Sequence, residues 1–276
     1  MRGLFSAGVL DVFMENGITF DGIAGISAGA IFGCNFKSHQ IGRAIRYNKR
    51  FCKDQRYCSI WSLLFTGDLY GVKFCYEVIP NKLDIFDTDA FEKDPAEFYV
   101  GATDTKTGKT VYHLCTDGRE RDMRWIRASG SMPFVAKAVK IGNRVLLDGG
   151  ISDSVSYAFL ERRGYNRNVI ILTQPDGYFK QPASKKSKVI FKVLMRKYPK
   201  VAKAMIARSE MYNRQMREIK EREISGRSLV IRPYEALGIS RTERDPSELE
   251  RVYQAGRKVG EDRLQEVIAF LNPTDK

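Results

Sequence analysis

The pentapeptide Gly25-Ile26-Ser27-Ala28-Gly29 has the GxSxG spacing in which many hydrolases hold a nucleophilic serine. A serine hydroxyl is a poor nucleophile at neutral pH, so such a site also needs a base within hydrogen-bond reach and donors aimed at the oxyanion formed on attack. In a GxSxG turn the glycines permit tight packing of strand on helix and the serine projects from the turn. The Ala28 N–H, at the start of the following helix, then becomes a natural oxyanion donor. Taken alone the pattern is a weak signal, since small residues recur at ordinary helix starts.

The base is the next requirement. The sequence holds two histidines, His39 and His113, and neither follows an acid in the Ser, Asp, His order of the α/β-hydrolases. Both read better as exposed or structurally satisfied imidazoles. A carboxylate is the alternative, and Asp148 has the best setting. It ends the apolar run at 144–147 and is followed by Gly149 and Gly150, which let backbone approach closely. A plain turn is the competing reading of Asp-Gly-Gly, so Asp148 gains meaning only as a partner of Ser27.

These groups need elements to position them. Leu4, Val9, Leu10, Phe13 and Met14 recur at helical spacing before Gly17, residues 20–24 suit a short buried strand, and residues 28–37 suit a helix. Strand, Ser27 turn and helix in that order are the context the motif requires. Residues 98–102 and 110–114 read as antiparallel strands around a turn at 106–109. A helix at 124–129 stops near Gly130 and Pro133, and strands follow at 144–147, 169–173 and 229–232. Residues 200–223 form an amphipathic helix with Val201, Met205, Tyr212, Met216 and Ile219 on one face and Lys203, Arg214 and Arg217 opposite. Asp245 caps a last helix that opens with Pro246 and runs to about residue 271. Residues 41–75 are mixed and resolve no further. Strands and helices alternate around an inserted hairpin, so the fold class is α/β and layered.

At 276 residues and 43% hydrophobic, the chain can bury a full core. No run approaches the ~18 consecutive apolar residues of a membrane span. The opening MRGLFSAGVL resembles a signal peptide, but Asp11 and Glu15 interrupt it and no cleavage site follows, so it reads as mature structure. Five cysteines, with no CxxC pair and no zinc-like spacing, fit a reducing, cytoplasmic compartment and give no sign of a metal. The net charge of +13 is local: residues 180–227 carry 15 Lys or Arg against 4 Glu. Such a patch suits an anionic membrane, an acidic partner or nucleic acid. The absence of a zinc finger, RNP-like motif or KH loop argues against nucleic acid.

The segments MRGLFSAGVLDVFMENG, GISAG, RASGSMPF, LLDGGISDSVS and VIRPYEALGISRTERDP together resemble the patatin-like phospholipases, especially their bacterial branch. They stand in the family's order and span most of the chain. The resemblance implies a three-layer α/β/α sandwich with a mostly parallel central sheet and a Ser-Asp dyad without histidine. Ser27 would be its nucleophile and Asp148 its general base, framed by Gly25, Gly29, Gly149 and Gly150. It further implies hydrolysis of acyl esters of phospholipids or lysophospholipids through an acyl-enzyme, with no metal or organic cofactor. Family members carry a first strand and a GGGxRG oxyanion loop. Of that loop the sequence matches only Arg2 and Gly3, with Met1 at the variable position. In the family the amides of the absent glycines would supply most of the oxyanion hole, where loss of even one donor can cost ~10²-fold, and the oxyanion or substrate-binding residues expected here are Arg2, Gly3 and Ala28. A start inside a longer protein explains the missing glycines and strand better than a true loss, which would expose strand edges. The alternative is a catalytically weak patatin-like protein that binds lipid or a partner.

The expected organisation is a catalytic core over 1–176. An extension over 177–276, containing the basic amphipathic helix, packs on the core or completes it. That helix either docks peripherally on an anionic inner membrane surface or packs its apolar face inward. Arg127, Ser129, Ser131 and Pro133 shape an acyl pocket or support it structurally. Tyr57, Trp61 and Phe65 line an acyl groove or belong to the core. Oligomeric state leaves no trace in the sequence.

Overall fold

The computed structural model describes residues 1–272. Its elements are α1 (Gly3–Glu15), β1 (Gly22–Ile26), α2 (Ala28–Lys37), α3 (Arg43–Phe51), α4 (Ile60–Thr66), α5 (Thr88–Lys93), β2 (Glu97–Asp104), β3 (Thr110–Cys115) and α6 (Glu120–Ser129). They continue with β4 (Val139–Ile141), β5 (Arg144–Asp148), α7 (Tyr157–Arg162), β6 (Asn168–Ile171), α8 (Lys185–Leu194), α9 (Pro199–Ile224), β7 (Ser228–Ile231), α10 (Pro246–Asp262) and α11 (Leu264–Leu271). A π-helical stretch, Phe74–Leu83, precedes α5. None of the described helices is long and apolar enough to cross a membrane.

The fold is a layered α/β sandwich. On one face of β2, Phe98, Val100 and Ala102 are fully buried against α2, α5 and α6; on the other, Tyr99 meets Phe159 of α7 edge-on. The pair β6–β7 is sandwiched likewise. Ile170 and Val230 pack on Tyr157 and on Ile219 of α9, whereas Ile171 and Ile231 pack toward α1 and α10. Val201 of α9 is buried with Leu147 and Ile151. The apolar face of that long helix is therefore used by the core, one of the two roles its sequence allows.

The five-stranded sheet, in the order β1-β2-β5-β4 with β3 also on β2, is mixed, where the family resemblance suggests a mostly parallel one, and β6 and β7 form a separate two-stranded sheet. β1–β2 and β6–β7 are parallel, but β2–β3, β2–β5 and β4–β5 are antiparallel. For β2–β3 and β4–β5 the cause is connection length: residues 105–109 join the first pair and Gly142 and Asn143 the second, and such short links join antiparallel neighbours. β1 is bonded on one edge by β2 and β6 on one edge by β7, and the free edges of both line one large cavity.

One detail of register builds the site. β3 occupies one edge of β2 along its length, and β1 and β5 share the other edge, running toward each other. β1 ends with Ile26 opposite Gly101, and β5 ends with Asp148 opposite Ala102. The residue after β1 and the last residue of β5 therefore meet at one point. β1 covers Gly22–Ile26, two residues later than the strand at 20–24 expected from the sequence.

The C-terminal helices are fastened to the first one. A Cβ on Gly8 would stand 2.2 Å from the Tyr253 carbonyl oxygen, and one on Gly256 2.0 Å from that of Phe5, so only glycine allows α1 and α10 to cross so closely. Tyr253 Oη donates to Asp11 at 2.7 Å, and Arg257 forms a two-pronged ion pair with Glu15. Asp245 caps α10 by accepting from Ser247 N–H, and the single last helix expected from the sequence breaks at Arg263 into α10 and α11.

Candidate active site

Ser27 sits between β1 and α2 with φ 53° and ψ −114°, a backbone conformation that costs a non-glycine residue about 1–3 kcal/mol. The surrounding bonds over-determine it. Its carbonyl accepts from Ala30 N and Ile31 N at 3.0 and 3.1 Å, and its N–H donates to Ser129 Oγ at 2.9 Å. Ser129, fully buried at the end of α6, donates its own hydroxyl hydrogen bond to the Gly101 carbonyl at 2.6 Å. Of the readings for Ser129, support is therefore the one observed.

The two motif glycines do different work. A Cβ on Gly25 would lie 2.6 Å from Ala30 N and from the Gly29 carbonyl oxygen, so strand-on-helix packing demands glycine there. A Cβ on Gly29 would meet nothing within 4 Å. The expectation that both glycines serve tight packing is corrected accordingly. Gly29 lines the cavity in front of Ser27.

Ser27 Oγ donates to Asp148 Oδ2 at 2.7 Å, across 121 residues of sequence. The other carboxylate oxygen accepts from Gly150 N at 2.7 Å, while Asp148 N donates to Ser131 and its carbonyl accepts from Thr103 Oγ1. Gly149 is required because its Cβ would press to 2.3 Å of the Gly101 carbonyl oxygen. Burial pushes the Asp148 pKa up; bonds from Ser27 and Gly150 and the charges of Arg208 and Arg241 oppose this without cancelling it. The result is a carboxylate of raised basicity against a serine hydroxyl.

The N-termini of α1 and α2 converge beside this pair. A Cβ on Gly3 would fall 2.5 Å from Ala28 Cβ, so the two helix starts touch, and Arg2, Gly3, Ser27 and Ala28 all line the same cavity. First-turn amides of a helix have no partner within it and carry its partial positive charge. The cavity has a volume of about 630 Å³, enough for a substantial part of a lipid. Tyr57, Arg127 and Ser131 contribute to its wall.

Other candidates lie elsewhere. Trp61 and Phe65, weighed as groove or core, are neither: they stack on each other 58% and 82% exposed, because α4 buries none of its residues. Pro133 is outside the cavity lining. His39 pairs with Asp94 at 2.8 Å, and His113 bonds Asp122 and stacks on Trp125, both away from Ser27. His113, Cys115 and Asp122 bring potential ligand atoms within 4.8 Å of one another. There Asp122 Oδ2 already accepts from the backbone N–H groups of Thr116, Asp117 and Gly118, the work of a turn cap. Sequence reasoning passed over Lys180, Arg208 and Arg241, which also line the cavity. Lys180 and Arg208 were signalled only by the local excess of positive charge over 180–227, and Arg241 only by its place in the segment VIRPYEALGISRTERDP.

A family model described as patatin-like phospholipase matches residues 1–159, and a second, described as a domain of unknown function, matches residues 198–272. The uncharacterized protein YjjU of Escherichia coli K12 is 31% identical over 185 residues, 66% of this chain and 51% of its own. An uncharacterized NTE family protein of Mycobacterium tuberculosis is 30% identical over 183 residues, 66% of this chain and 48% of its own. Lysophospholipase NTE1 of Candida glabrata is 26% identical over 168 residues, 60% of this chain and 9% of its own. The chain thus spans about half the length of the first two relatives. The first family match takes in more than half of the chain, including Ser27 and Asp148, and the chain belongs to the patatin-like phospholipase family.

Proposed function

We propose that this chain is a serine acyl hydrolase acting on phospholipid or lysophospholipid, with Ser27 as nucleophile and Asp148 as general base. The observation that carries this reading is the 2.7 Å bond from Ser27 Oγ to a buried carboxylate at the wall of a large cavity. Family membership and a relative named lysophospholipase support the lipid substrate.

In the proposed cycle Asp148 takes the Ser27 proton as Oγ attacks the ester carbonyl carbon. The N–H groups of Ala28 and Gly3, with Arg2 nearby, receive the oxyanion. Collapse breaks the ester bond, and Asp148 returns its proton to the departing alcohol, leaving the acyl group on Ser27. Water then attacks the acyl-enzyme, losing its proton to Asp148, and as the bond from Ser27 Oγ to the acyl carbon breaks Asp148 returns that proton to Oγ, releasing the carboxylic acid and restoring the serine. Burial serves this chemistry, since a carboxylate of raised pKa is the stronger base. No metal or organic cofactor enters the scheme.

We further propose that the chain engages an anionic membrane through α4 and α8. Ile60, Trp61, Leu64 and Phe65 of α4 and Val189, Val193 and Leu194 of α8 are each more than half exposed. The intervening loop joins them: Phe134 stacks on Phe191 of α8, and the Val135 carbonyl accepts from Leu69 N just beyond α4. Lys185, Lys186, Lys188 and Lys192 add positive charge to α8. Leu69 and Val135 also line the cavity, so this apolar surface adjoins the cavity. Apolar side chains flanked by lysines suit an interface with anionic lipid.

Hydrolysis of p-nitrophenyl butyrate and of a lysophospholipid by wild type and by Ser27→Ala tests the central reading. Loss of both activities in Ser27→Ala is the expected result. Retention of wild-type turnover by that variant overturns it.

A further inference from the structure

Four cations gather in the cavity beside the proposed dyad, and no carboxylate is free to answer them. Arg2, Lys180, Arg208 and Arg241 line it together with Ser27 and Asp148. The other two arginines of the lining are paired, Arg127 with Asp68 and Arg43 with Asp84, but among the described residues these four are in no ion pair. The two acids of the cavity wall are occupied: Asp148 by Ser27 and Gly150, and Asp68 by Lys137 N–H and Arg127.

Two of the cations are held in position. The side-chain amide of Asn213 clamps the Lys180 backbone from both ends, accepting from its N–H at 2.8 Å and donating to its carbonyl at 3.0 Å. Lys180 Nζ stands 3.5 Å from the centre of the Tyr212 ring. One helical turn before Tyr212 on α9, Arg208 donates from Nε to the Gly150 carbonyl at 2.6 Å, and its two terminal amino groups have no acceptor among the described residues. Burial, reinforced by Arg208, Arg2 and Arg241, lowers the Lys180 ammonium to about 7. The Asp148 charge opposes that shift without cancelling it, and a further anion among these groups would oppose it more strongly.

We propose that Lys180, Arg208 and Arg241, with Arg2 beside them, form a subsite for the phosphate of an anionic lipid headgroup that carries no ammonium of its own. This inference rests on the acyl-hydrolase reading, because it places the headgroup there while the scissile ester lies at Ser27. Guanidinium and ammonium groups bind phosphate through charge-assisted bonds, and the forked Arg208 and Arg241 suit its geometry. A choline or ethanolamine headgroup would bring its own cation among these positive charges with no free carboxylate to receive it. The discrimination is therefore built from repulsion as well as attraction.

The test uses the full chain and has an arm that needs no turnover. Calorimetric binding of glycerol 3-phosphate, with glycerol as control, is measured for wild type, Lys180→Gln, Arg241→Gln and Lys203→Gln. Lys203 is exposed on α9 and outside the cavity lining. Glycerol 3-phosphate should bind, with affinity about tenfold lower in Lys180→Gln and in Arg241→Gln, the loss of one charge-assisted bond, and unchanged in Lys203→Gln. In the second arm, kcat/KM is compared for dihexanoyl phosphatidylglycerol and dihexanoyl phosphatidylcholine, both held as monomers so that attraction to a charged interface plays no part. Wild type should favour the glycerol lipid, and the two cavity variants should lose that preference. No binding of glycerol 3-phosphate, or binding that the cavity variants leave intact, overturns the subsite. Binding combined with equal turnover of the two lipids identifies a site for free phosphate and overturns the headgroup assignment. Should Ser27→Ala keep hydrolysing p-nitrophenyl butyrate, the hydrolase reading fails separately, and the binding arm still decides whether the cations hold an anion.

Discussion

Asp148→Asn separates the chemical role of this residue from its place in the fold. Gly150 N–H points at Oδ1 from 2.7 Å and keeps that position an acceptor, so the amide nitrogen of the variant must occupy the Oδ2 position, 2.7 Å from Ser27 Oγ. A donor there cannot take the serine proton. General-base catalysis contributes about 10²–10⁴-fold, so kcat should fall by that factor, roughly 3–5 kcal/mol in the barrier. KM should change little, because the lost interaction concerns the proton and not the bound lipid. Stability should move the other way. Burial raises the folded-state pKa of Asp148 above its unfolded value, so the stability it contributes is fully present below the unfolded pKa and is lost as the pH rises through the folded pKa. At neutral pH the ionised carboxylate opposes folding, and a neutral amide of the same shape relieves that opposition. The assay is kcat and KM on p-nitrophenyl butyrate together with the melting temperature at neutral pH. An inactive variant that melts higher than wild type is expected. Wild-type kcat in Asp148→Asn refutes the base assignment, and a lowered melting temperature refutes the electrostatic account. For the same reason wild-type activity should fall with acidification at a pH above the ordinary carboxylate range.

The positive φ of Ser27, 53°, makes glycine the relaxed residue at that position. Ser27→Gly and Ser27→Ala should both be inactive, with Ser27→Gly the more stable by about 1 kcal/mol in denaturant unfolding; equal midpoints would dispose of the strain argument. Ser129→Ala leaves the Ser27 N–H and the Gly101 carbonyl without their shared partner, which should cost about 1–3 kcal/mol of stability and reduce kcat more than it alters KM. Wild-type stability in that variant would contradict it. Replacing Phe65 and Val193 by Asp should weaken sedimentation with phosphatidylglycerol vesicles by about tenfold or more without lowering the melting temperature, since both side chains are more than half exposed. Unchanged vesicle binding would exclude α4 and α8 from the membrane contact.

Much of the local structure was legible because short-range rules govern it. Apolar spacing and capping residues marked α1, α2, α9 and the start of α10, and the alternation of strands with helices announced an α/β layered fold. Gly25-Ile26-Ser27-Ala28-Gly29 marked a candidate nucleophile, and the shortage of histidine pointed to Asp148 as a candidate base. What decided the rest acts between residues far apart in the chain. Sheet polarity followed from connection lengths and from which edge of β2 each strand occupied. The exposure of Trp61 and Phe65 depended on what failed to cover α4, which no local pattern records. Lys180 and Arg208 looked like part of a solvated basic patch until tertiary packing turned them, with the distant Arg241, toward a shared cavity. The meeting of Ser27 with Asp148 required β1 and β5 to run head to head along β2 and stop at adjacent residues, Gly101 and Ala102. Sequence by itself determined which side chains could do chemistry, since that depends on residue type and immediate spacing. Only the tertiary structure decided which of them share a site, because a hydrogen bond of 2.7 Å between residues 121 apart is set by strand register, and register is a property of the packed sheet.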